Sequence, residues 1–135
     1  PDEALIVKSL AKIPGRPKLD VRNEKKGSTD GHWVLRNFSL MPYEAGCSNP
    51  GLGPNYMVNL ERLGLVELRE AYRLHGDGGI DLYQPLLDLP EIQIVKADIE
   101  SQSEQKLNIS YGAILLTEFG LQFCEACVNE GTHTR

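Results

Sequence analysis

Two periods take turns along this chain. In one, apolar residues return every three or four positions, as on a helix face; in the other they return every second position, as along a strand. The stretch that organises the rest is 54–66. There Tyr56, Leu60 and Leu63 share one helical face, and Asn55, Asn59 and Arg62 share another. Pro54 suits a first helical turn, and Gly64 supplies the left-handed residue at which a helix stops. Residues 65–68 then read as extended chain, within a strand that runs to about Tyr72. A helix with a glycine stop and an immediate strand is how a winged helix presents its third helix and enters its wing.

The flanking pattern fits that frame. Residues 2–13 read as an amphipathic helix, with Asp2 as cap, Ile6, Leu10 and Ile13 as its stripe, and 14–17 as its stop. Residues 18–23 and 32–41 read as the two strands of a hairpin with a polar tip at 24–31. Leu19 and Val21 alternate in the first strand. In the second, Val34, Phe38 and Leu40 take one side and Trp33 and Leu35 the other, which predicts burial on both faces. Residues 42–53 are rich in turn formers, and 75–79 read as a turn.

Between 80 and 105, Leu82, Leu86 and Leu89, then Ile92, Val95 and Ile99, have helical spacing, and Pro90 can open the second segment. Ile92, Ile94 and Lys96 also fit a strand, but 97–105 is rich in helix formers, so helix is expected. Residues 106–116 return to strand. Thr117 then caps a final helix to about Asn129, with Phe119, Phe123 and Cys127 on one face, Leu121, Cys124 and Val128 beside it, and Gly131 as its end. The expected core includes Tyr56, Leu60, Leu63, Phe119, Phe123 and Trp33. The fold expected is a single α+β domain over 1–135, winged-helix-like, with a small antiparallel sheet and a helical insertion in the wing.

Length and charge narrow the choice. At 135 residues the chain holds one domain with a real core. Residues 1–40 carry eight Lys/Arg against five Asp/Glu, and 41–135 carry six against fourteen. An acidic second half is a poor match to a phosphate backbone. Three cysteines and no secretory segment favour a reducing, cytoplasmic setting. No apolar run approaches the ~20 residues of a membrane span. Because the chain opens on Pro1 rather than Met, it is expected to be the carboxy-terminal module of a longer protein.

Candidate chemistry is sparse. In a winged helix the outward face of Asn55, Asn59 and Arg62 is the one offered to a DNA groove or to a protein partner. The bland reading is a solvated face, and Glu61 and Glu67 beside it repel phosphate. Cys124 and Cys127 have the spacing of a metal or redox pair, but a zinc site needs four ligands, and only Cys47 and His133 could complete it. Both cysteines fall mid-helix among apolar neighbours, so they read as small core residues. No metal and no cofactor is expected. Cys47, His32 and His75 have no spacing that assembles a nucleophile with its base. Arg16, Lys18, Arg22, Lys25 and Lys26 form one basic district, which reads first as a solvated hairpin.

Two strings carry a family resemblance: Asn59-Leu-Glu-Arg-Leu-Gly-Leu65 and Leu116-Thr-Glu-Phe-Gly-Leu-Gln-Phe-Cys-Glu-Ala-Cys127. Together, with Asp2-Glu3-Ala4 before the first helix, they resemble the Abi-alpha family, bacterial proteins named for abortive infection, a form of phage defence. The resemblance implies the carboxy-terminal region of such a protein and brings no catalytic residues with it. With the acidic balance it leads to a non-enzymatic interaction module that works through a protein partner or self-association. The alternative is a DNA-binding winged helix that uses the Asn55–Arg62 face or the hairpin tip.

Overall fold

The computed structural model describes residues 1–13 and 15–129, and the side chains of 127–129 are not among those described. Pro14, Gly131 and His133 therefore lie outside the described residues, as does the side chain of Cys127. Helix α1 is Asp2–Lys12, and the hairpin is β1 (Gly15–Lys25) with β2 (Gly31–Phe38). A short turn of helix, α2 (Met41–Glu44), precedes α3 (Gly53–Arg62) and β3 (Val66–Arg69). The segment expected to be helical holds α4 (Gln84–Leu87) and α5 (Pro90–Glu100). Strand β4 (Gln105–Leu116) leads into α6 (Glu118–Phe123), which continues as a wider π turn over Cys124–Asn129. The result is a mixed helix-and-sheet fold whose four strands pair antiparallel in the order β2-β1-β4-β3.

Strand pairing decides what each face carries. Leu19 lies opposite Tyr111 and Val21 opposite Ile109, so these four share a face. Helices α4 and α5 cover it, adding Tyr83, Leu86 and Ile92 to one hydrophobic cluster. Tyr83 pins the cover in place: its hydroxyl donates to the Gly112 carbonyl (2.8 Å) and accepts from the Leu74 N–H (2.8 Å), and its ring meets Tyr111 edge-on at 5.2 Å. The opposite face is apolar only near the end of β4. There Ile114 joins Ile6, Val7 and Leu10 of α1, Met57 and Leu60 of α3, Leu65, Val66 and Cys124 in a second cluster.

Several sequence expectations are corrected at this level. The buried stripe of α3 is Gly53, Met57 and Leu60, because Tyr56 sends its hydroxyl to Asp2 (2.8 Å) and Leu63 sits at the exposed cap. Asp2 does not cap its own helix. Its carboxylate accepts from the Ser48 and Asn49 N–H groups (2.8 and 2.9 Å) and fixes the loop before α3, and those bonds, with that of Tyr56, hold it below the ordinary Asp range. Gly64 does take the left-handed conformation (φ 80°) that ends the helix.

Phe119 is exposed rather than core. Gly120 lies flush against β3, so the Gly120–Cys124 line of the last helix turns inward and Phe119 turns out. Trp33 and Val34 are exposed too, since β2 is an edge strand and only its Leu35–Phe38 end packs on a cluster. Strand β3 stops at Arg69, short of Tyr72.

Candidate functional site

The second face of the sheet is where the unusual chemistry collects. Along β1, Lys18, Asp20, Arg22 and Glu24 alternate with the apolar residues and point to the face that α4 and α5 do not cover. Opposite them on β4 stand Gly112, Ser110, Asn108 and Lys106. Trp33 of β2 pairs with Arg22 and adds an exposed ring to the same half-sheet. Helices α1, α3 and α6 reach only the Ile114 end.

Two buried carboxylates organise this surface. Asp20, with no exposed side-chain area, accepts from Lys18 Nζ and from the Asn37 N–H (2.8 Å), and lies 3.5 Å from Arg36 Nε. Lys18 is equally buried and reaches across to Glu70 Oε2 at 2.9 Å. Gly112 makes that reach possible: a Cβ there would lie 3.0 Å from Lys18 Cε and 2.4 Å from the Arg69 carbonyl oxygen. Burial alone would push the Asp20 carboxyl up. The bonds from the Lys18 ammonium and the Asn37 N–H, with the charge of Lys18, outweigh it and hold the carboxyl below the usual range.

Glu24 is the second hub. It accepts from Asn108 Nδ2 (2.9 Å) and Arg22 Nε (3.2 Å), with Lys106 Nζ 3.8 Å away, and the Asn108 bond is the main cause of its lowered pKa. Asp20, Glu24 and Lys18 thus sit beneath, while Arg22, Arg36, Lys106 and the half-exposed Glu70 reach outward. Arg36 and Arg22 lie over the Trp33 ring, their guanidinium carbons 4.2 and 4.9 Å from its centroid.

The helix-face residues read from the sequence are placed differently. Asn55 is exposed on α3. Asn59 Nδ2 donates to Glu3 Oε2 (2.8 Å), and Arg62 donates to Asn59 Oδ1, so this pair straps α3 to α1 at its rim. Beside the strap Val58, Leu63 and Phe119 are 55, 49 and 57% exposed, and Phe119 stands against Gly64.

Cys47 is no nucleophile in this setting. Its thiol donates to the Asp2 carbonyl (3.6 Å), and burial pushes its pKa up, away from the thiolate. Among the described residues no three His, Cys, Asp or Glu side chains form a group able to hold a metal ion. No helix among them is long and apolar enough to cross a membrane. A cleft of about 340 Å³ between Leu40, Met41, Ile80 and Leu86 has Arg16 in its wall, committed to Glu44 (2.9 Å) and Ser9.

Reading the sequence for basic residues found Lys18 and Arg22 but missed Asp20, Glu24 and Trp33 as their partners. The signal was present: four charged residues in strict alternation along one strand, which a solvated hairpin does not require.

Comparison with known proteins agrees with this architecture. The family model described as abortive infection alpha matches residues 1–127. A solved structure, described as that of the uncharacterized protein from the hydrocarbon-degrading marine bacterium Alcanivorax borkumensis SK2, superposes with a TM-score of 0.57. The two share 18% identity over 92% of this chain and 82% of that one, a likeness of fold. No curated protein matches the chain.

Proposed function

We propose that this chain, which belongs to the abortive infection alpha family, is a non-enzymatic interaction module of a phage-defence protein and acts through protein contacts. The observation that carries the reading is the pair of exposed apolar side chains Leu63 and Phe119 that flank Gly64 at the end of α3, with the Asn59–Arg62 strap as a polar rim. Two large apolar side chains, each about half exposed, beside a rim of Asn and Arg have the composition of a contact surface. The frame beneath is winged-helix-like in this reading: α3, its glycine stop and the β3–β4 pair beside β1 form the unit, β2 extends the sheet, and α4 and α5 are inserted in the wing.

Photo-crosslinking tests the proposal. A crosslinking phenylalanine analogue at Phe119 or Leu63, in the chain expressed in a bacterial host, is expected to give protein adducts, with a second copy or another partner. The same analogue at the exposed Lys96 should give none. The absence of protein adducts at both patch positions contradicts the reading. A second reading, a DNA-binding winged helix, draws support from the exposed Lys25 and Lys26 at the hairpin tip. Its signature is affinity for random duplex that falls steeply with salt.

A further inference from the structure

A half-sheet left uncovered in an otherwise packed fold needs a reason, and its chemistry narrows what can sit on it. Solvent meets Arg22, Arg36 and Lys106, whose side chains are 23, 42 and 46% exposed, against Glu70 at 49%. The other two carboxylates, Asp20 and Glu24, are 0 and 6% exposed. The face is therefore cationic outward in a chain whose net charge is −5. At its centre is the Trp33 indole, with the guanidinium carbons of Arg36 and Arg22 4.2 and 4.9 Å from its ring centroid. The neighbouring strand offers the amide of Asn108 and the hydroxyl of Ser110.

We propose that this open half-sheet binds single-stranded nucleic acid, with Trp33 and the guanidiniums of Arg22 and Arg36 as a base-stacking platform and Lys106 as a phosphate contact. Unpaired bases add to such a stack because every base has a π face, and guanidinium planes accept them as aromatic rings do. A duplex hides its base faces and offers only its backbone. The buried carboxylates fix the arginines from beneath, Glu24 through Arg22 Nε (3.2 Å) and Asp20 beside Arg36 Nε (3.5 Å), and Glu70 is the one carboxylate of this network at the surface. This site is separate from the helix patch proposed above and does not depend on that reading.

Trp33 is the only tryptophan of the chain, so its emission reports occupancy directly. The experiment is a fluorescence titration with oligodeoxythymidylate and oligouridylate, each repeated over a range of salt, beside a duplex of equal length and polyglutamate. Quenching by one or both single strands is expected. The logarithm of the affinity should fall against that of salt with a slope of about −0.7, for the single phosphate contact of Lys106. Lys106→Gln, an exposed position, should reduce that slope by about 0.7.

Trp33→Ala, followed by anisotropy of a labelled strand, should bind at least ~10-fold more weakly, and Trp33→Phe should recover most of the loss. No quenching at low salt overturns the proposal. So does equal affinity for duplex, or wild-type affinity of folded Trp33→Ala together with an unchanged slope in Lys106→Gln. Quenching by polyglutamate as strong as by the oligonucleotides would assign the face to an acidic peptide instead and overturn it equally.

Discussion

Replacing Asp20 with Asn is expected to cost ~3–5 kcal/mol of folding stability, the range for removing one partner of a buried ion pair. Lys18 is fully buried, and with Asp20 gone its ammonium keeps only Glu70, a half-exposed carboxylate. Asparagine retains an oxygen for the Asn37 N–H, so the loss isolates charge rather than shape. Because the folded-state pKa of Asp20 is lowered, its contribution is complete above the unfolded pKa and is lost as pH falls through the folded one. The gap between wild type and Asp20→Asn in urea unfolding should therefore be widest near neutrality and shrink below the usual carboxylate range.

The double variant Lys18→Met, Asp20→Asn should recover much of the loss, since it removes the buried ammonium together with its partner charge and keeps an oxygen for the Asn37 N–H. A loss of less than ~1 kcal/mol in the single variant, the value of a surface pair, would show that the pair is solvated.

Gly120→Ala is expected to cost about 3 kcal/mol, the upper end for overpacking a site that cannot yield. A Cβ on Gly120 would stand 2.2 Å from the Leu65 carbonyl oxygen and 2.7 Å from Leu116 Cδ1. Both ends of that contact are tied. Thr117 Oγ1 accepts from the Gly120 N–H (2.8 Å), bonds the Gly64 carbonyl (2.6 Å), and lies 3.1 Å from the Leu65 carbonyl. The Leu65 carbonyl also takes the Thr117 N–H (3.2 Å). Relief requires parting α6 from β3 and breaking the cap, itself worth ~1 kcal/mol. A thermal melt within error of wild type would mean that the helix approaches β3 less closely than described.

The same glycine shows what the sequence could and could not reveal. Thr117 as a cap and Gly64 as a stop were legible because each answers a local backbone need, and the structure places both as read. The hairpin and the helical segment before β4 were legible from periodicity. Which side of a helix faces inward was not. On α3 the true stripe includes Gly53, invisible to a search for apolar residues, and on α6 it runs through Gly120 for the same reason. Glycine marks a close approach of backbones, a tertiary fact with no period of its own.

The open half-sheet was hidden differently. Strand alternation in β1 shows one apolar and one charged face, but only the pairing of Arg22 with Trp33 and Asn108 makes the charged one a site. The carboxylate hubs depend on Arg36, Glu70 and Lys106, which arrive from three other places in the chain.

If one half of the sheet is an outward, cationic surface built around Trp33, collisional quenching of the indole's fluorescence will depend on the charge of the quencher. Iodide, an anion, should quench the indole far better than caesium, and the difference should shrink as inert salt screens Arg22, Arg36 and Lys106. Blue-shifted emission that neither ion quenches would place the ring in a core. Equal quenching by both would leave it exposed on a neutral face, and either result would contradict the account.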